Sequence, residues 1–121
     1  MMRPTLIRLD TLPPAETYRL PPEKLIEGDP LQTLWMQHTD ASGQFFAGLW
    51  RSEPGTWRIA YTEEEFCHVL EGRSIVTDAE GQAFTVAAGD QFVMPRGFVG
   101  TWQVLETTTK RFVIYEARAE A

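Results

Sequence analysis

The sequence predicts an all-β fold, a small sandwich or barrel built from short strands. Short runs rich in β-branched and aromatic residues recur from Leu31 onward. Turn residues separate these runs, and no helical periodicity follows the first 30 residues. Among all-β folds, the jelly roll closes two sheets on each other at about this chain length.

The first 30 residues predict an extended N-terminal arm. Prolines stand at positions 4, 13, 14, 21, 22 and 30. Each proline removes a backbone donor and restricts its predecessor to extended geometry, which prevents a regular helix or a central strand. We therefore expect residues 1–30 to form an arm with at most short edge strands, and residues 31–121 to form the barrel domain.

The strand candidates follow in order after the arm. Turns are expected at Asp40–Gly43, at Glu53–Gly55, at Asp78–Gly81, around Gly89 and Gly97, and after Glu71, where Gly72 follows. Between them lie the predicted strands: LQTLWMQ, FFAGLWR, TWRIAY, EFCHVLE, RSIVTD, AFTVA, QFVMP, GTWQVLE and KRFVIYE.

Composition limits the classes of function. A length of 121 residues with 43% hydrophobic content fits one domain with its own core. The net charge of −6 and the scattered basic residues disfavour nucleic acid as a partner. No apolar run is long enough for a membrane span or signal sequence. A single cysteine, Cys67, cannot form an intramolecular disulfide, so we expect a cytoplasmic protein.

Two segments resemble the motifs of a known family. In EFCHVLEG, Glu65 and Gly72 have the spacing that ends the first cupin motif, and in GDQFVMPRG, Gly89, Pro95 and Gly97 match the second. With PGTWR and GFVGTW they make residues 28–115 similar to single-domain cupins of the (S)-ureidoglycine aminohydrolase cupin-domain family. The resemblance implies a cupin jelly-roll β-barrel, the double-stranded β-helix.

The metal ligands of such cupins are missing from this sequence. The usual His-x-His pair falls on Ile59 and Tyr61, or one residue earlier, and the last histidine position is Gly100. The resembled activity releases ammonia from ureidoglycine with manganese held by a Glu, two His and a Gln. Only Glu65 is of that type here, so we expect no metal cofactor. The alternative is a divalent metal such as Mn, held through oxygen by Tyr61, Glu63 and Glu65.

Strand alternation predicts which side chains enter the barrel. Glu65, Cys67 and Val69 share one face, and His68 points to the other. The resemblance turns the Glu65 face inward. We expect Glu65 as a general acid or base, with Tyr61 and Cys67 as further catalytic candidates. The expected ligand-binding residues are Trp57, Ile59, Glu63, Trp102 and Lys110.

Each of these residues also has a purely structural interpretation. For Trp57, Ile59 and Trp102, core packing is favoured over ligand contact. Cys67 would be an inert buried thiol. Lys110 is either the counter-charge of Glu65 or an exposed lysine at a sheet edge.

The expected function is binding of a small polar metabolite in the barrel without a standard cupin metal site. The sequence does not decide whether the ligand is converted. One alternative is a metal-dependent enzyme of the ureidoglycine aminohydrolase type, and another is a sensory or structural module with a filled barrel. We also expect a homodimer in which Leu25, Ile26, Leu31 or Leu34 contributes to the interface; otherwise the arm folds back onto its own barrel.

Overall fold

The computed structural model describes residues 3–118 and confirms the all-β prediction. These residues contain no α-helix, only a single 3-10 turn at Pro22–Lys24. The strands are β1 (Glu16–Tyr18), β2 (Leu25–Glu27), β3 (Gln32–Thr39), β4 (Phe45–Ser52), β5 (Gly55–Ala60), β6 (Glu64–Asp78), β7 (Ala83–Ala87), β8 (Gln91–Met94) and β9 (Val99–Tyr115).

All strand pairs are antiparallel, and together they form a curled sheet. The order along its main path is β1-β3-β4-β9-β5-β2, and β6 pairs with β7, β8 and β9. Strand β9 connects the two parts of the sheet because it pairs with β4 and β6 along its second half and with β5 and β6 along its first. This curvature encloses a barrel interior between β6, β9 and the strands beside them.

Strands β6 and β9 are longer than the sequence predicted. The turn expected at Gly72 is wrong: Gly72 lies inside β6, where the register with β9 shifts between Val69 and Ser74. Its φ of +85° and a gap of only 2.0 Å from an added Cβ to the Thr107 carbonyl oxygen leave room for glycine alone. The glycine therefore marks a β-bulge that bends one continuous strand.

The N-terminal arm contributes the two edges of the main sheet. Strand β1 pairs with β3, and β2 pairs with β5. Before β1, the Leu9 carbonyl accepts hydrogen bonds from Gln37 on β3 and Arg111 on β9. The arm is therefore held against the barrel through backbone hydrogen bonds. Its prolines are compatible with this pairing because they lie outside the short edge strands.

Alternation along the strands builds the core. In β6, Glu65, Cys67 and Val69 are buried, and Phe66 and Leu70 on the other face are partly exposed. Side chains from five strands share the buried cluster: Trp57, Cys67, Val69, Val76, Val86, Met94, Trp102 and Val104. Within residues 3–118 no helix is long and apolar enough to span a membrane.

Candidate functional site

A mostly apolar cavity of about 290 Å³ occupies the barrel interior. Its walls come from both parts of the curled sheet and from the N-terminal arm. Most lining side chains are apolar, and the charged ones are Glu65 and Lys110. The lining residues are Tyr18, Leu20, Gln32, Leu34, Met36, Phe46, Trp50, Trp57, Ile59, Tyr61, Glu65, Trp102, Lys110, Phe112 and Ile114.

A buried ion pair between Glu65 and Lys110 is the central polar feature of this cavity. Glu65 comes from β6 and Lys110 from β9, which pair side by side. Lys110 Nζ lies 2.9 Å from Glu65 Oε2, and the two side chains are only 6% and 7% exposed. A carboxylate is costly to bury unless a partner neutralises it, and the ammonium does so here.

Further contacts surround the ammonium of Lys110. Its Nζ lies 3.5 Å from Cys67 Sγ, and Cys67 Sγ lies 3.4 Å from Glu65 Oε2. The same Nζ stands 4.4 Å from the ring centroid of Trp102 and 4.8 Å from that of Trp50. Cation–π attraction thus adds to the ion pair, and both fix the lysine in the interior.

The protonation states follow from burial and from the ion pair. Desolvation is the largest single influence on Lys110 and lowers its pKa. The attraction and hydrogen bond of Glu65, together with the interactions of Tyr61 and Cys67, outweigh it and raise that pKa well above its usual value. Burial raises the pKa of the Cys67 thiol to about 12 despite the nearby ammonium. Burial also raises the pKa of Tyr61. At neutral pH the lysine is charged, and the thiol and the phenol keep their protons.

The structure brings most of the predicted site residues together. Six of them line the cavity: Trp57, Ile59, Tyr61, Glu65, Trp102 and Lys110. Cys67 does not line the cavity and lies behind Glu65 and Lys110, with no exposed surface. A protonated thiol in that position is a poor nucleophile.

Glu63 is placed apart from the other predicted residues. It lies in the turn before β6 and does not line the cavity. It is partly buried, and desolvation together with Glu65 and Glu116 raises its pKa. The ligand contact expected for Glu63 is therefore not supported by its position. His68 is half-buried on the opposite face of β6 from Glu65, as the alternation predicted.

Trp50 and Tyr18 also line the cavity, although the sequence did not predict them there. Trp50 packs edge-on against Trp57 and Trp102, and its indole N–H donates to Gln32 Oε1 at 2.8 Å. Alternation in FFAGLWR groups Trp50 with Phe46, which was a usable signal. Tyr18 had no such signal, because only the pairing of β1 with β3 brings it to the cavity.

Two of the usual cupin ligand positions lie side by side but carry no side chain that could bind a metal. Ile59 and Gly100 are direct partners across β5 and β9. A Cβ at position 100 would lie 1.9 Å from the Thr77 carbonyl oxygen, so no side chain fits there. Among residues 3–118 no group of three His, Cys, Asp or Glu side chains could hold a metal ion. These residues do not fit the manganese set of the resembled activity.

Solved structures of other proteins share this fold. Ethanolamine utilization protein Q from Salmonella typhimurium is 23% identical, with a TM-score of 0.64 over 72% of this chain and 71% of that one. A protein of unknown function from Pseudomonas syringae pv. tomato is 19% identical, with a TM-score of 0.78 over 89% of this chain. The present chain spans only 46% of that protein's length. Identities this low show the fold alone.

A third structure, from Thermotoga maritima, belongs to a family of unknown function. It is 31% identical over 53% of this chain and 73% of its own, with a TM-score of 0.52. No curated protein matches the chain.

The family model that matches is described as the EutQ-like cupin domain, and it covers residues 39–112. This range contains both cupin-like motifs, together with Glu65 and Lys110, and confirms the predicted cupin fold. The chain therefore belongs to the EutQ-like cupin domain family.

Proposed function

We propose that this EutQ-like cupin binds a small polar metabolite in its barrel without a standard cupin metal site. The observation that carries the proposal is the Glu65–Lys110 ion pair at the wall of a cavity lined mostly by aromatic and aliphatic side chains. Apolar walls with a few fixed polar groups are the usual composition of small-molecule sites.

The size of the cavity supports this proposal over a barrel filled by its own side chains. A volume of about 290 Å³ is open to a ligand. Since a water molecule takes up about 30 Å³ in the liquid, the space corresponds to roughly ten non-hydrogen atoms. A sensory or structural module with a filled barrel would not need this space or a buried charge pair beside it.

Lys110 supports the part of the proposal that concerns metal. Its ammonium lies 2.9 Å from Glu65, the one side chain at the usual ligand positions with the right chemistry. A divalent cation would have to displace that ammonium or stand beside it, against charge repulsion. An (S)-ureidoglycine aminohydrolase activity would need the manganese set that this barrel lacks, so we propose binding without that metal.

The metal part is tested directly. We expect elemental analysis of the purified, dialysed protein to find no stoichiometric Mn, Fe or Zn, and added Mn²⁺ or Zn²⁺ to leave the melting temperature unchanged. About one metal ion per chain would refute it. Exchange of Lys110 for methionine frees Glu65, so a gain of weak metal binding in that variant alone would support the role given to the lysine.

The binding part is tested by a ligand search. Native mass spectrometry of gently purified protein, followed by thermal shifts against a metabolite panel, should find at least one compound that stabilises the protein. Glu65→Gln should weaken the binding of that compound, and the control Glu106→Gln should leave its binding unchanged. Glu106 pairs with Arg73 at 3.4 Å on the exposed surface. A panel without any stabilising compound, and no co-purified molecule, would refute the proposal.

We also propose a homodimer through the edge strand β2, in the reducing cytoplasm that suits a free buried thiol. Among the apolar residues expected at the interface, Leu34 lines the cavity and Leu25 packs against the core. Ile26 is 48% exposed on β2, which ends the main sheet. An exposed apolar edge strand invites pairing with a second copy.

Light scattering at micromolar concentration tests the dimer. The proposal expects a mass near twice 13.8 kDa, which Ile26→Glu reduces to that of the monomer. Val93→Glu is the matched control because Val93 is similarly exposed on β8, outside the main sheet path. A monomeric wild type, or a dimer that only Val93→Glu disrupts, would show that the proposed interface is wrong.

A further inference from the structure

The ammonium of Lys110 is already engaged inside the protein. Its Nζ contacts Glu65 Oε2 at 2.9 Å and Cys67 Sγ at 3.5 Å, and it faces the rings of Trp50 and Trp102. An ammonium has three N–H donors and no acceptor. With these contacts made, Lys110 has little capacity left for a ligand, and its charge is balanced by Glu65.

The carboxylate of Glu65, by contrast, has one oxygen left over. Oε2 takes the contacts from both Lys110 and Cys67. Among residues 3–118 no group donates a hydrogen bond to Oε1. The fully buried polar atoms that lack a partner do not include Oε1, so this oxygen is still accessible. Since Glu65 lines the cavity, a ligand reaches Oε1 from there. An ionised carboxylate only accepts, so the ligand must donate.

The net charge of the site restricts the ligand further. The ion pair is neutral as a unit, and the remaining walls are largely aromatic and aliphatic. A charged ligand would lose its water there without gaining an unpaired opposite charge. A neutral ligand avoids this desolvation penalty and still makes a hydrogen bond to a charged acceptor.

From these contacts we infer that the ligand is an uncharged molecule of roughly ten non-hydrogen atoms that donates an N–H or O–H to Glu65 Oε1. This inference deepens the proposed function and rests on it. A primary amide is the simplest group that meets the requirement. Its carbonyl oxygen could accept from the hydroxyl of Tyr61, which lines the same cavity.

Four probes of matched size test the inference: benzamide, methyl benzoate, benzoate and benzylammonium. Benzamide is neutral with a donor, methyl benzoate is neutral without one, and the other two carry opposite charges. Binding is measured by calorimetry and by the fluorescence of the tryptophans, three of which line the cavity: Trp50, Trp57 and Trp102. We expect benzamide to bind wild type at least about tenfold more tightly than each of the others.

Two variants shift the charge balance in opposite directions. Glu65→Gln leaves the lysine unpaired, so benzoate should gain affinity relative to benzamide. Lys110→Met leaves the carboxylate unpaired, so benzylammonium should gain instead. The exposed control Glu106→Gln should keep the wild-type order. The order in wild type is informative on its own if either variant fails to fold.

The outcomes separate the inference from the proposed function. Tighter binding of benzoate or benzylammonium to wild type would overturn the inference and leave small-molecule binding in place. Equal affinity of methyl benzoate and benzamide would overturn the donor requirement. If no probe binds while a compound of the metabolite panel does, the inference is wrong and the function stands. If neither a probe nor a panel compound binds, both are wrong.

Discussion

Exchange of Glu65 for glutamine should destabilise this protein severely. The change keeps the shape of the side chain but leaves the ammonium of Lys110 buried without its counter-charge. Removing one partner of a buried ion pair costs about 3–5 kcal/mol, because the remaining charge is desolvated and unpaired. The two tryptophan rings near Lys110 would offset part of this loss.

A solvent-exposed ion pair in the same chain is the reference for the cost of breaking the buried one. Arg73 and Glu106 form an ion pair at 3.4 Å whose side chains are 51% and 64% exposed. Solvent-exposed pairs contribute about 0–1 kcal/mol, so Glu106→Gln should cost less than about 1 kcal/mol. The double variant Glu65→Leu with Lys110→Met removes both buried charges, and it should lie within about 1 kcal/mol of wild type or above it.

Urea denaturation at pH 7, followed by tryptophan fluorescence, measures the free energies of unfolding. The expected order of stability is wild type and the double variant, then Glu106→Gln close behind, then Glu65→Gln far below. Equal losses in Glu65→Gln and Glu106→Gln would refute the reasoning. So would a double variant as unstable as the single one, since its cost would then come from packing and not from charge.

Three further predictions concern Gly100 and Cys67. Gly100→Ala should cost at least about 1–3 kcal/mol in the same denaturation assay, because its Cβ would lie 1.9 Å from the Thr77 carbonyl oxygen; Val99→Ala, at an exposed neighbour, should cost less than about 1 kcal/mol. Iodoacetamide at pH 8 should label Cys67 only after unfolding, because the thiol is buried and its pKa is raised to about 12; rapid labelling of native protein would contradict this. Stability should also fall as the pH rises from 9 towards 12, because burial raises the pKa of this thiol from 9.0 and the unfolded chain loses the proton first. Cys67→Ala should lessen that slope by about 1.4 kcal/mol per pH unit, and an unchanged slope would show that the thiol is not the group that titrates.

The sequence predicted the parts of the fold that depend on local pattern. Alternation placed Glu65 and His68 on opposite faces of one strand, the family resemblance turned the Glu65 face inward, and the structure agrees with both. The short β-rich runs and their turns predicted β3, β4, β5, β7 and β8, whereas β6 and β9 were each predicted as two strands. These features depend on side-chain period and on residues that favour turns, and both can be recognised in a single sequence.

Other parts depend on long-range pairing and could not be predicted locally. Gly72 has the character of a turn residue, but it lies in a bulge because β9 continues beside β6 through the register shift. Tyr18 and Lys110 are far apart in sequence and reach the same cavity only through the strand order of the curled sheet. Neither the spacing of apolar residues nor the strand propensity of a local segment encodes this strand order.

The Lys110 ammonium lies on the barrel wall beside the positions where metal-binding cupins carry their ligands. Ile59 and Gly100 face each other where ligands would stand, and Glu65 remains on the wall. A buried carboxylate needs a cation, and in this chain the Lys110 ammonium lies at hydrogen-bonding distance from it. A lysine is attached covalently and cannot be lost to a chelator. It also supplies one charge where a divalent ion supplies two, so the pair with Glu65 is neutral, and this neutrality is the basis of the uncharged ligand that we propose.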